Sequence, residues 1–160
     1  MRRLATIGVY GFTAQSFLDR LREANVRQLL DVRQRRGVRG HEYMWANARR
    51  IQLALTEAGI EYRHHRDLAP TTGLRQLLYS EDARLGIGQR SRTVLAPAFA
   101  ERYTREILDS FDLRPIVEDL PTDGAGALFC VERDPEACHR SLIAERLTAE
   151  YGLPVTHLEP

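Results

Sequence analysis

A chain of 160 residues that is 43% hydrophobic is long enough for one domain with one substantial core and is far from a disordered composition. Its formal charge of +1 provides no whole-protein field to draw in nucleic acid. All 23 basic residues are arginine, which excludes chemistry that needs a primary amine, such as a Schiff-base or P-loop lysine.

In chain order, Leu4 to Tyr10 reads as a short strand ending at Gly11. Thr13 is placed to cap a helix whose apolar stripe is Ala14, Phe17, Leu18 and Leu21. Val26 to Val32 is a second strand. Ile51, Ala54, Leu55 and Ala58 mark a second helix closed by Gly59, and Ile60 to His64 a third strand. Ser80 to Thr93 is polar, carries Gly86 and Gly88, and reads as a loop. Pro97 suits a first helical turn, with Phe99, Tyr103, Ile107 and Phe111 following at steps of four. Ala127 to Val131 is a fourth strand. Asp134-Pro135 reads as the cap and first residue of a last helix lined by Ile143, Leu147 and Tyr151. Gly152 and Pro154 end it, before a fifth strand from Val155 to Leu158. Strands alternating with helices imply one α/β domain over residues 1–160, a small mostly parallel sheet with helices on both faces in a Rossmann-like three-layer arrangement.

The densest chemistry lies between Cys130 and Arg140, where two thiols, Glu132, His139 and Arg140 fall at a strand-to-helix junction. Ligands bind at such junctions in open α/β sheets. The phase of the last helix turns His139 and Arg140 inward, and an inward arginine needs an acid or an anionic ligand. The acids nearest by topology are Asp31 and Glu132. These two with His139 are the candidates for acid–base catalysis, and Arg33 and Arg140 for holding an anion. The spacing Cys-x7-Cys-His is not that of a zinc finger or ribbon, so no metal is expected. A phosphatase loop fails because Glu136 would repel the phosphate. With a reducing cytoplasm as the default setting, both thiols should be free and Cys130 buried.

A second constellation follows the second strand. Residues 33–50 carry six arginines against one glutamate, and Gly37 and Gly40 free the loop to approach an anion. Arg35, Arg36 and Arg39 should be exposed and, with Tyr10 at the end of the first strand, contact substrate. Tyr43 and Trp45 lie beyond and could stack on a base, although Trp45 could equally staple the helix that follows it. The turn Gly8-Val9-Tyr10-Gly11 is too short for a dinucleotide fingerprint, so no cofactor is expected. At most one of the adjacent His64 and His65 can face a site.

Thr6-Ile7-Gly8, Leu30-Asp31-Val32-Arg33, Gly59-Ile60-x-Tyr62, and Cys130-x-Glu132 with Cys138-His139-Arg140 together resemble domain-of-unknown-function family 488. The resemblance spans nearly the whole chain. Many relatives carry His-Ser after Thr-Ile-Gly, whereas this chain has Val9-Tyr10, so chemistry needing that histidine is not implied. The loop Arg35-Arg36-Gly37-Val38-Arg39-Gly40 looks like a subgroup trait. The function expected is an enzyme-like site for a phosphorylated nucleotide or nucleic-acid group, with carboxylate and histidine acid–base chemistry. The rival is a non-catalytic nucleic-acid- or protein-binding module in which the Cys–His–Arg cluster is a structural brace. An anionic small molecule or nucleic acid is the expected partner, with no membrane and a cytoplasmic location.

Overall fold

The computed structural model describes residues 2–160. Five parallel strands, β1 (Arg3–Ile7), β2 (Val26–Asp31), β3 (Glu61–His64), β4 (Ala125–Phe129) and β5 (Val155–Leu158), lie in the order β3-β2-β4-β1-β5. Helices α1 (Ala14–Glu23) and α2 (Ala48–Glu57) cover one face; α3 (Thr72–Leu85), α4 (Pro97–Glu106), α5 (Arg114–Asp119) and α6 (His139–Tyr151) pack toward the other. Strand pleating sorts the core into two layers. Ala5, Leu29, Ala127 and Phe129 pack with Phe17, Leu21, Ile51 and Leu55, while Leu4, Leu30 and Leu128 pack with Phe99, Tyr103, Ile143 and Leu147. The product is the expected single α/β domain. All five residues of β4 are buried, as a central strand covered on both faces requires.

Several expectations hold in detail. Thr13 caps α1 in a full capping box with Ser16. Gly59 and Gly152 adopt positive φ just beyond α2 and α6. Others need correction. Residues 72–85 form a helix, although 80–85 read as loop. Its buried stripe is Leu74, Leu78 and Asp82, so the apolar period breaks off on an acid and hides the last turns. The helix from Pro97 ends at Glu106 and passes into a 3-10 turn over Leu108–Ser110, short of Phe111. Asp134-Pro135 opens only a 3-10 turn, and α6 begins at His139 with Cys138 as its N-cap residue.

The topology leaves a crevice between β2 and β4. The chain leaving β2 leads to α2 on one face, and the chain leaving β4 leads to α6 on the other. Where adjacent connections diverge, the carboxyl ends of the strands stay uncovered.

Candidate functional site

Two connected spaces occupy this edge. An inner recess of about 50 Å³ is lined by residues that include Arg33, Arg92, Cys130, Glu132 and His139. An outer cleft of about 680 Å³ includes Tyr10, Arg35, Arg39, Arg75 and Arg90 in its walls and has no carboxylate among its lining residues. Arg35, Arg75, Tyr79 and Gln89 border both.

At the recess floor, His139 Nε2 lies 2.8 Å from the Val32 carbonyl. A carbonyl only accepts, so Nε2 bears a proton, and Nδ1 is the nitrogen that faces the sulfurs. Cys130 Sγ is 3.8 Å and Cys138 Sγ 3.7 Å from that Nδ1. Both thiols are free and buried. They behave oppositely. The adjoining Cys138, and then burial, push the Cys130 thiol well above its ordinary pKa. Burial opposes ionisation of Cys138, but the adjoining Cys130 thiol and the charges of His139 and Arg140 outweigh it and hold Cys138 well below its ordinary pKa. Its place at the N-terminus of α6 acts in the same sense. Burial disfavours charge on His139 too, yet the neighbouring Cys138 raises its pKa.

Glu132 follows β4. Its Oε1 accepts from Arg92 at 3.0 Å and Gln89 at 3.1 Å, and its Oε2 lies 3.7 Å from Cys130 Sγ. Burial, with the Cys138 thiolate second, raises the Glu132 pKa against the pull of Arg92 and Gln89. Arg92 also clamps Asp82 through Nε at 3.1 Å and Nη2 at 2.6 Å. The network ties α3 to the site, and neither of these partners was expected from the sequence. Arg75, Gln89 and Arg90 were missed for the same reason, since all belong to 72–93. Thr71, which caps α3 by accepting from Leu74 N, and Gly86 in the left-handed region at its end were the available signals.

The other expected residues divide. Asp31 is wholly buried and bound by Arg33 Nε and Nη2 at 2.9 Å each and by Tyr62 Oη at 2.6 Å. Arg33 also donates to the Ala46 carbonyl and lies over the Phe129 ring. Asp31 does not line either space, and Arg33, although it borders the recess, spends its donors on the protein. Arg140 turns inward as expected but meets no acid. Nη1 donates to the Glu132 carbonyl at 2.7 Å and Nη2 to the Arg133 carbonyl at 3.2 Å, while Nε has no partner among the described residues. The expected ion pair with Asp31 or Glu132 is therefore replaced by a clamp on the backbone after β4. The reason is that Arg33, two residues along, already holds Asp31, and Arg92, from beyond α3, already holds Glu132.

Gly8 lets that clamp form. A Cβ there would stand 2.0 Å from the Glu132 carbonyl oxygen. Arg35 and Arg39 are exposed, but Arg36 is partly buried and donates to Tyr62 Oη at 3.3 Å. Arg90 lies over the rings of Tyr10 and Tyr43 and pairs with Glu42. Trp45 packs on Phe17, so of the two aromatic residues only Tyr43 stays near the cleft, beside Tyr10. His64 donates to the Arg33 carbonyl and braces the loop after β2.

The family model for Domain of unknown function DUF488 matches residues 13–147. The chain belongs to this family. No curated protein and no solved structure matches it. Among the described residues no helix is long and apolar enough to cross a membrane.

Proposed function

We propose that the outer cleft binds the phosphate of a nucleotide or nucleic-acid end and presents the adjoining group to the recess, where Glu132 exchanges a proton with it. One observation carries this reading: four arginines line a cleft of about 680 Å³ that has no carboxylate in its walls and opens beside Glu132. Of the four, Arg90 is matched by Glu42, which leaves an excess of positive charge for an anion. Arg90, which lines the cleft and lies over the rings of Tyr10 and Tyr43, presents its guanidinium plane to a base. In this reading Asp31 and Arg33 hold the loop after β2 in place, Arg140 holds the loop after β4, and His139 works through the thiols rather than as a free acid or base. The closed Asp31–Arg33 and Asp82–Arg92–Glu132 networks favour a second reading, a non-catalytic module that binds the same phosphates without turnover.

Fluorescence anisotropy with a labelled single-stranded oligonucleotide, competed by nucleoside triphosphate, tests the binding. The double reversal Arg35→Glu/Arg39→Glu should weaken affinity at least tenfold and flatten the salt dependence by roughly 0.7 per lost phosphate contact in a log–log plot. Binding that is insensitive to both reversal and salt would refute the cleft as the anion site. Glu132→Gln that binds normally but stops turnover supports the enzyme reading; a wild-type protein that binds without turnover supports the module.

A further inference from the structure

The thiol–imidazole cluster at the recess floor goes beyond phosphate binding. Cys130 Sγ, Cys138 Sγ and His139 Nδ1 all lie within 4.8 Å of one another. Around a tetrahedral zinc ion, bonds of about 2.3 Å to sulfur and 2.0–2.1 Å to nitrogen put such atoms roughly 3.5 Å apart. The two sulfur-to-Nδ1 distances, 3.8 and 3.7 Å, exceed that by only a few tenths of an ångström. His139 Nδ1 has no stronger partner than these sulfurs, and its Nε2–H is anchored on Val32 O, the backing that orients a metal-bound imidazole. Chain spacing hid the set, because one thiol follows a strand and the other two donors open a helix.

We propose that Cys130, Cys138 and His139 bind one zinc ion, with its fourth position open to the recess beside Glu132. Two thiolates and an imidazole select a borderline-soft, tetrahedral divalent ion over magnesium or calcium. On binding, the Cys130 S–H proton and the proton held between Cys138 and His139 both leave to solvent, and two metal–sulfur bonds and one bond to Nδ1 take their place. The ion stays divalent and nothing is oxidised. Because the divalent charge replaces those two protons, the cluster's net charge is unchanged; Glu132 gives up only the Cys130 thiol and keeps Arg92 and Gln89, and Arg140 keeps its carbonyls. Cys130 and Glu132 both line the recess, so the open position faces the space a substrate would enter.

The test uses the full chain, reduced and stripped by chelator, and titrated with Co²⁺ alone. Expected are thiolate-to-cobalt charge-transfer and intense tetrahedral d–d bands that saturate at one equivalent and vanish when Zn²⁺ is added. Cys138→Ser and His139→Gln should abolish the bands while circular dichroism stays native. Should those variants fail to fold, alkylation of the wild-type thiols read by mass spectrometry decides: one equivalent of Zn²⁺ should protect both cysteines. Weak octahedral bands, no saturation, bands that survive in a folded Cys138→Ser protein, or thiols unprotected by Zn²⁺ would overturn the site. Oligonucleotide binding by the metal-free protein is measured separately, so failure of the zinc site and failure of the phosphate cleft are distinguishable.

Discussion

Replacing Arg92 by methionine is the most direct probe of how the site is held. The guanidinium has a side chain 3% exposed and bridges two carboxylates that are each 8% exposed. Methionine keeps much of the aliphatic volume, so the loss is mainly electrostatic. Breaking one side of a buried ion pair costs about 3–5 kcal/mol, because the remaining charge is left without compensation. Here Asp82 loses both of its arginine bonds, whereas Glu132 keeps Gln89, which points to the lower half of that range. Urea unfolding followed by circular dichroism reads the effect. With a slope of about 2 kcal/mol per molar, the midpoint should fall by roughly 1.5–2 M. Asp82→Asn in the same background should recover part of the loss, giving a coupling energy above about 1 kcal/mol in the double-mutant cycle. A loss for Arg92→Met below about 1 kcal/mol, or strictly additive single changes, would refute the account of Arg92 as the link between α3 and Glu132.

Gly8→Ala should destabilise by at least 1–3 kcal/mol, the usual cost of overpacking, because the new Cβ overlaps the Glu132 backbone rather than a movable side-chain end; thermal melting with an unchanged midpoint would contradict it. Tyr62 has its hydroxyl pKa pushed from 10.0 to about 12, chiefly by burial, with its hydrogen bond to Asp31 adding and that from Arg36 opposing. The folded state therefore holds the proton more tightly than the unfolded chain, so the stability from neutral Tyr62 is complete below about pH 10 and is lost as pH rises toward 12. Urea midpoints across that window should fall less steeply in Tyr62→Phe than in the wild type, and parallel curves would show that the hydroxyl makes no such contribution.

Local rules determined much of this protein before folding was considered. Strand identity followed from short apolar runs, α1 from Thr13 and its stripe, and the ends of α2 and α6 from Gly59 and Gly152. The inward turn of His139 and Arg140 also followed, because helix phase is fixed by Ile143 and Leu147 four and eight residues after His139. The site was legible as a region, since its Cys, Glu, His and Arg crowd one strand-to-helix junction. Only tertiary structure decided which groups pair. Asp31 is held by Arg33 two residues away, and Glu132 by Arg92 forty residues upstream, so Arg140 is left to the carbonyls. That choice depends on α3, whose buried face ends on Asp82. An acid in a core stripe erases the apolar period that reveals a helix, and its partner, Arg92, lies beyond the helix end where no local pattern reaches. The meeting of Cys130, Cys138 and His139 has the same origin. A strand end and a helix start approach each other through packing, and spacing along the chain carries no record of it.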